Sequence, residues 1–299
     1  MNCIKKSVIK DIIKHALAED IGRGDVTTRL LFPKGEKIQA IILADEGGII
    51  CGINIARFCF KLWDNRTRFI ALVEDGDRVK RGQSLAKIYG KASSVLSAER
   101  VALNFLGLLS GVATRTNQFV NKVRDCRVRI MDTRKTLPGL RELEKYAVRL
   151  GGGYNHRFGL DDMILIKENH LAASCLGYST SRIKKIIKSI KVKKPKEVKL
   201  EIEVRNLTEF KEALKAKPDI IMLDNMKITD IKKAITIRGK TIQRHTRPKP
   251  LLEASGNIDL ENIRAYAQTG VDLISLGTLT KDIRCLDLSL ELEKKGGRR

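Results

Sequence analysis

The sequence predicts an α/β protein whose larger part is a parallel βα-barrel of the TIM-like type. Six short apolar runs occur in the second part of the chain, and most are separated by stretches long enough for a helix. Strands that alternate with helices form parallel βα units. Each run ends on a charged or small polar residue, which is typical of a barrel active site. The runs are residues 127–131, 163–166, 198–204, 220–223, 251–254 and 273–276.

The residues before this region predict a smaller, β-rich α/β domain. Its β-type runs are residues 38–43, 67–72 and 84–88, with glycine turns between them. Charged and apolar residues alternate at helical spacing up to Ala18, which predicts an amphipathic helix rather than a signal peptide. We therefore expect an N-terminal domain over residues 1–112, a barrel over 113–285, and a C-terminal segment with a basic tail over 286–299.

A long helix is expected to join the two domains. Val101, Phe105 and Leu108 follow helical spacing, and Ser97 is the expected N-cap. Arg100 would then lie in the first turn, where the helix dipole disfavours a cation by about 0.3–1 kcal/mol. This placement indicates that Arg100 faces an anion, although an ordinary surface arginine fits the pattern equally well.

Composition restricts the functional classes. The chain has 299 residues, of which 42% are hydrophobic, so it can form real cores. We expect no membrane-spanning segment, because no run approaches the roughly 18–20 apolar residues that a span needs. The six cysteines are scattered without metal-ligand spacing. That pattern favours the cytoplasm and argues against zinc.

The formal net charge of +23 allows three interpretations. A basic face could bind nucleic acid, a site could bind polyanionic small molecules, or the charge could be spread over solvated faces. Aromatic residues make up 5% of the chain, and no RRM, KH or zinc-finger pattern occurs, which argues against nucleic acid. The segment Lys227–Pro250 is long and basic, with no use evident from the sequence, and residues 293–299 predict a disordered tail.

The densest group of reactive side chains follows the first two barrel strands. It comprises Arg134, Lys135, His156, Arg157 and Lys167. Guanidinium groups bind carboxylates through paired hydrogen bonds that lysine cannot replace, so several at one barrel mouth predict a carboxylate ligand. His156 alone would more often be a structural histidine, but its place beside Arg157 in a glycine-bounded loop favours a site.

Eight motifs of the chain resemble the quinolinate phosphoribosyltransferase family. They are EDIGRGDVTT, SAERVALNFL, DTRKT, GGGxNHR, LIKENH, LEIEV, IIMLDN and EASGNI…GVDLISLGTLT. They occur in the family's order over residues 10–292. Each motif by itself is weak evidence, but eight in the correct order are specific.

The resemblance implies a fold, an activity and an assembly. The fold is a sandwich-like N-terminal domain followed by an open barrel. The activity is that of a pentosyltransferase: it transfers phosphoribose from phosphoribosyl pyrophosphate to quinolinate with decarboxylation, and releases nicotinate mononucleotide, pyrophosphate and CO₂ in NAD biosynthesis. The assembly is a homodimer or higher oligomer with shared active sites, and the cofactor is Mg²⁺.

The resemblance also implies the role of each cationic residue. Arg134, His156 and Arg157 correspond to the clamp for the two quinolinate carboxylates. Arg100 corresponds to a fourth clamp residue, donated by the partner subunit. Lys135 and Lys167 correspond to catalytic residues that bind the anions of both substrates near the reacting centre.

Acidic and small residues complete the implied site. Glu203 and Asp224 correspond to the catalytic pair that holds the ribose hydroxyls and Mg²⁺, partly through substrate or water. Glu201 lies on the same face of its strand, deeper in the barrel. We prefer Glu203 because it is nearer the carboxyl end, and the division of roles stays open. The expected phosphate-binding residues of the last loops are Ser255, Gly256, Gly277 and Thr278.

Two other functions remain open from the sequence. One is a related phosphoribosyltransferase with another acceptor, either nicotinate-like or of the molybdenum-transport-associated kind. The other is a basic nucleic-acid-binding protein on the same scaffold. The presence of the whole clamp favours a dicarboxylate, because a monoacid would leave buried cations unpaired.

Overall fold

A computed structural model of the chain describes residues 6–173, 182–241 and 249–293. The helices there are α1 (Lys6–Ile21), α2 (Val26–Leu31), α3 (Ile53–Trp63), α4 (Ala92–Lys122), α5 (Arg141–Leu150), α6 (Glu168–Ala173), α7 (Arg182–Lys193), α8 (Leu207–Ala216), α9 (Ile228–Thr241), α10 (Ile263–Ala267) and α11 (Thr278–Lys281). The strands are β1 (Lys37–Ala44), β2 (Gly48–Ile49), β3 (Arg68–Ala71), β4 (Arg78–Val79), β5 (Ser84–Lys91), β6 (Arg129–Met131), β7 (Ile164–Ile166), β8 (Leu200–Val204), β9 (Ile220–Asp224), β10 (Leu251–Ser255), β11 (Leu273–Ser275) and β12 (Leu288–Leu292).

The chain divides into two compact units. One contains residues 1–117, 136–152 and 279–299, and the other contains residues 118–135 and 153–278. This division differs from the expected boundaries at 112 and 285. The loop and helix of residues 136–152, and residues 279–293, belong to the N-terminal unit.

The N-terminal unit is built on an antiparallel sheet with strand order β12-β1-β5-β3, beside a β2-β4 ribbon. Alternate residues of β1, namely Ala40, Ile42 and Ala44, are fully buried, as expected for a strand with one face on a core. The C-terminal segment contributes β12, whose Leu292 pairs with Ala40. The predicted β-rich α/β domain is therefore confirmed.

Helix α4 begins earlier than the sequence predicts. It starts at Ala92, directly after β5, so the prediction of Ser97 as N-cap is wrong. Ala92, Val95 and Ala98 are all fully buried at helical spacing, and this packing extends the helix toward its N-terminus. Arg100 consequently lies in the third turn, and the helix-dipole argument for its anion contact no longer holds.

By length and apolar composition, α4 also qualifies as a candidate membrane span, contrary to the expectation of no membrane-spanning segment. However, 72% of its most apolar window is buried inside the protein. The same helix is thus accounted for as the packed core helix of a folded unit.

The second unit carries a six-stranded sheet with strand order β6-β11-β10-β9-β8-β7. Every pairing in it is parallel, and all six predicted barrel strands are present. Met163, beside β7, and Leu273, in β11, belong to one buried cluster although four strand spacings separate their strands. In a flat sheet they would be about 19 Å apart, so the sheet is strongly curved, in agreement with an open barrel.

In the described part of the basic segment Lys227–Pro250, α9 occupies Ile228–Thr241. Residues 242–248 and most of the predicted disordered tail lie outside the described residues. Within the described ranges, the cysteines Cys51, Cys59, Cys126 and Cys285 are free.

Candidate active site at the carboxyl edge of the parallel sheet

Apart from His156 and Arg157, the predicted site residues of the second unit lie at or just beyond the carboxyl ends of its strands. Because all six strands are parallel, these ends share one edge of the sheet. In chain order, these residues are Arg134 and Lys135 after β6, Lys167 after β7, Glu203 near the end of β8, Asp224 at the end of β9, Ser255 and Gly256 at the end of β10, and Gly277 and Thr278 after β11. Arg100 is exposed on α4 in the N-terminal unit.

Lys167 and Glu203 form an ion pair at this edge. The Nζ atom of Lys167 lies 2.5 Å from Oε1 of Glu203, and about half of the lysine side chain remains exposed. His170 fixes the start of the loop, since its Nδ1 accepts a hydrogen bond from the backbone N–H of Lys167. The structure therefore brings together a predicted substrate-binding cation and a predicted metal-binding carboxylate.

Arg157 is a buried cation beneath the same edge. Its Nη1 donates to the carbonyl oxygen of Met163 at 3.0 Å, and 7% of the residue is exposed. Burial lowers the pKa of Arg157, the like charge of Arg134 lowers it further, and Glu201 and Glu203 oppose these effects. Arg134 and Arg157 are thus repelling neighbours, and an anion between them would be stabilised.

Lys135 lies over Gly277. A methyl group added at Gly277 would approach Cδ of Lys135 to 2.9 Å, closer than real side chains come. The backbone N–H of Lys135 donates to Oγ1 of Thr133 at 3.0 Å, which fixes the loop after β6. Glycine at position 277 leaves the space that this lysine occupies.

The ends of β9 and β10 are joined around Asn225. Asp224 pairs in register with Ser255. The backbone N–H of Asn225 donates to the Ser255 carbonyl at 2.8 Å, and its Nδ2 donates to Oδ2 of Asp224 at 3.0 Å. Gly256 has φ +94°, and a methyl group there would overlap Oδ1 of Asn225. Asn225 therefore connects the Asp224 carboxylate, through its side chain, to the predicted phosphate loop, through its backbone N–H.

A second group of ionisable side chains lies deeper, which we call the deep cluster: His156, Glu201 and Glu253. Nε2 of His156 lies 3.0 Å from Oε2 of Glu201 and 3.6 Å from Oε1 of Glu253. Both glutamates are fully buried. Burial raises the pKa of each to about 8; the charge of Glu203 adds to the shift at Glu201, and that of Glu201 adds to it at Glu253. At neutral pH the pair therefore holds at least one proton.

Sequence reasoning missed Glu253 and Asp132. Asp132 is fully buried; its Oδ1 accepts from the backbone N–H of His156 at 2.7 Å and its Oδ2 from Nδ2 of Asn155 at 2.8 Å. Both could have been found from the sequence, because each is an acidic residue inside or directly after an apolar strand, in LLEAS and in RIMD. Such residues are rarely buried unless they have partners.

The atoms that could bind a metal ion distinguish two candidate metal sites. The deep cluster offers three ligand atoms within 4.8 Å of one another. However, Nδ1 of His156 accepts from the backbone N–H of Arg157 at 2.8 Å, so the proton of the neutral ring lies on Nε2. Nε2 then has no lone pair for a metal. Glu203 and Asp224 at the edge provide oxygen ligands of the kind that Mg²⁺ binds together with phosphates and water.

The fold and this edge define an enzyme for anionic substrates on an open βα-barrel. Two family models match the chain: the quinolinate phosphoribosyl transferase N-terminal domain over residues 25–110 and its C-terminal domain over residues 112–291. The chain belongs to the quinolinate phosphoribosyltransferase family, which confirms the resemblance found in its motifs.

Relatives match this chain over nearly its full length. A probable nicotinate-nucleotide pyrophosphorylase (carboxylating) of Methanocaldococcus jannaschii is 41% identical, covering 94% of this chain and 96% of the relative. Its Bacillus subtilis counterpart is 39% identical, covering 95% and 93%. The solved structure of the nicotinate-nucleotide pyrophosphorylase from Francisella tularensis is 38% identical with a TM-score of 0.86, covering 97% and 98%.

Proposed function

We propose that this chain is a decarboxylating quinolinate phosphoribosyltransferase of NAD biosynthesis. Its substrates are quinolinate and phosphoribosyl pyrophosphate, and its products are nicotinate mononucleotide, pyrophosphate and CO₂. The observation that carries the proposal is the convergence of cationic and acidic side chains at one sheet edge, in a chain 41% identical to a probable nicotinate-nucleotide pyrophosphorylase.

The acceptor is selected by the guanidinium groups. Arg134 and Arg157 repel each other beneath the edge, so a ligand with two carboxylates relieves more unfavourable charge than one with a single carboxylate. Lys167 adds an exposed ammonium group at the same edge. His156 was predicted as part of this clamp, but its ring nitrogens face Arg157 N–H and Glu201, which suits a supporting role.

The reaction needs alignment and charge stabilisation rather than a protein nucleophile. The ring nitrogen of quinolinate forms a bond to the anomeric carbon of the sugar, and the bond to pyrophosphate breaks. The ring nitrogen is then positive and stabilises the electron pair left on the adjacent carbon when its carboxylate departs as CO₂. That carbon finally takes a proton. Arg134, Arg157 and Lys167 hold the acceptor in line and balance its charge.

Glu203 and Asp224 are the residues that would hold Mg²⁺ and the ribose hydroxyls. The bound metal would neutralise charge on the pyrophosphate leaving group. Lys135 lies over Gly277 and is placed to bind a substrate phosphate. Backbone N–H groups of the last loops would bind the remaining phosphate oxygens, at Ser255, Gly256, Gly277 and Thr278.

The site is completed by Arg100 from a partner subunit in a homodimer or larger assembly, and the enzyme is cytoplasmic. The free cysteines in the described ranges support a reducing compartment. Mixing Arg100→Ala protein with Arg134→Ala protein tests the shared site. Subunit exchange regenerates one intact site per mixed dimer, so activity should reappear. Variants that stay inactive after verified exchange would contradict a shared site.

The decisive assay incubates the purified chain with quinolinate, phosphoribosyl pyrophosphate and Mg²⁺. Nicotinate mononucleotide should form in equal amount to pyrophosphate and CO₂, and a chelator should stop the reaction. Nicotinate in place of quinolinate is the control, and faster turnover with it would assign another acceptor. Tight, salt-sensitive RNA or DNA binding without pyrophosphate release would instead favour a nucleic-acid-binding protein.

A further inference from the structure

The deep cluster connects three strands of the second unit beneath the substrate edge. Glu201 is in β8 and Glu253 in β10, and both are fully buried. His156 follows Tyr154, whose backbone N–H donates to Ile130 of β6 at 2.8 Å. The imidazole thus reaches from the β6 side of the barrel to carboxylates on two other strands.

The hydrogen bonds around His156 determine its tautomer. The ring accepts at Nδ1 from the backbone N–H of Arg157, and Nε2 faces Glu201 at 3.0 Å. A nitrogen that accepts a hydrogen bond carries no proton, so the neutral ring has its proton on Nε2. In a metal-ligating histidine one ring nitrogen donates to a carboxylate or carbonyl and the other binds the metal; in His156 that other nitrogen, Nδ1, already accepts the Arg157 N–H.

The carboxylates have few alternatives to this interaction. Among the described residues, none of the four carboxylate oxygens of Glu201 and Glu253 accepts a hydrogen bond of good geometry. Burying acidic groups in this way is costly unless a donor faces them. Nε2 of His156, 3.0 Å from Oε2 of Glu201 and 3.6 Å from Oε1 of Glu253, is the nitrogen placed to meet this need.

We propose that Glu201 and Glu253 are positioning residues, which hold the Nε2–H of His156 and thereby fix the backbone that carries Arg157 at the acceptor site. Asp132 fixes the same backbone from the β6 side, because it accepts the His156 N–H at 2.7 Å. His156 Nδ1 in turn orients the Arg157 N–H. The role given to Arg157 rests on the proposed function, whereas the tautomer does not.

A spectroscopic test reads the tautomer without any substrate. The chain has four histidines, so loss of one signal pair in His156→Asn assigns the ¹⁵N resonances of His156 in histidine-labelled protein. We expect a pyrrole-type Nε2 and a pyridine-type Nδ1 at neutral pH. We also expect no change on adding Mg²⁺ or Zn²⁺ alone. A protonated Nδ1, or a metal-dependent shift of these signals, would overturn the proposal.

A kinetic test reads the consequence for the acceptor. Glu201→Ala and Glu253→Ala should raise the KM for quinolinate about tenfold or more, because small displacements of a positioning group are costly. The KM for phosphoribosyl pyrophosphate should change by less than about threefold. Glu201→Gln and Glu253→Gln keep an acceptor for the Nε2–H and should restore near-normal kinetics. Glu212→Gln on α8 is the matched surface control.

The outcomes separate this proposal from the proposed function. If the alanine variants do not fold, the glutamine variants and the wild-type spectrum still decide. Folded alanine variants with unchanged KM, or with equal changes for both substrates, would refute the positioning role. An Nε2–H tautomer in a chain that does not turn over quinolinate would keep the cluster geometry and reject the assigned reaction.

Discussion

Two glutamates on one strand, Glu201 and Glu203, have opposite environments. They are two residues apart in β8 and face the same side of the sheet. Glu203 is partly exposed and pairs with the ammonium group of Lys167, whereas Glu201 is fully buried against His156. On β10 the same step separates Ser255 at the strand end from buried Glu253.

The difference shows that the role of a residue depends on how deep along a barrel strand it lies. The residue at the carboxyl edge can exchange a protein partner for a ligand, because solvent reaches it. The residue one step deeper cannot, because every charge there must be satisfied inside the protein. Edge residues should therefore affect turnover, and deep residues should affect stability and the alignment of the edge.

The largest effect is expected from removing an edge guanidinium. Arg134→Ala should lower kcat/KM for quinolinate at least 100-fold, which corresponds to about 3 kcal/mol, a value in the range of lost charged hydrogen bonds. Phosphoribosyl pyrophosphate binding, measured by calorimetry, should largely persist. Arg264→Ala removes an exposed ion pair to Asp125 and is the control. Equal loss of both substrates would contradict the assigned role of Arg134.

Next in size is the pH dependence of stability that comes from the deep cluster. Burial raises the pKa of Glu253 from an ordinary 4.5 to about 8. The folded state therefore binds this proton more tightly than the unfolded state. The stability it contributes is complete below pH 4.5 and is lost as pH rises through about 8. The loss should be on the order of a few kcal/mol.

Urea unfolding of the wild type at pH 5 and pH 8.5 measures this loss. Glu253→Gln cannot titrate at this position and should reduce the dependence, to which Glu201 also contributes, while the control Glu212→Gln, on the partly exposed face of α8, should leave it intact. A wild type that becomes more stable between these pH values would contradict a raised pKa at Glu253.

A smaller effect is expected at the phosphate loop. Gly256→Ala places a methyl group against Asn225 in a left-handed backbone, and should cost about 1–3 kcal/mol of stability while weakening phosphoribosyl pyrophosphate binding. Thermal unfolding and calorimetry measure the two effects. An unchanged affinity in folded protein would separate Gly256 from the phosphate site.

The smallest effect is expected from Gly239→Ala in α9, which is the matched control for Gly256→Ala. Gly239 has open space around its Cα and a helical position, so Gly239→Ala should stabilise the protein by about 0.4–1 kcal/mol. Its kinetics should equal those of the wild type. Destabilisation there would mean that this helix is less regular than its backbone indicates.

Much of the architecture could be predicted because buried parallel strands are continuous apolar runs with polar ends. The β8 and β9 segments are buried on both faces, and the sequence marks their carboxyl ends with Glu203, next to last in β8, and Asp224, last in β9. The shared edge then follows from parallel topology alone. Membership of the family was likewise readable from eight ordered motifs.

Other features depend on tertiary contacts that no local pattern contains. The N-cap signal at Ser97 was overridden because Ala92 and Val95 pack into the core and extend α4. Glu253 lies inside a predicted apolar strand, and no local pattern shows that His156 and Glu201 face it from distant parts of the chain. The orientation of His156 likewise depends on the Arg157 N–H, which sequence spacing cannot reveal.

The most direct test compares Glu203→Gln with Glu201→Gln in one steady-state assay with quinolinate, phosphoribosyl pyrophosphate and Mg²⁺. The two changes are chemically identical and lie two residues apart on β8. We expect Glu203→Gln to lose about 100-fold or more in kcat and Glu201→Gln to stay within about threefold of the wild type. Equal losses, or the larger loss at Glu201, would contradict the division between edge and deep cluster.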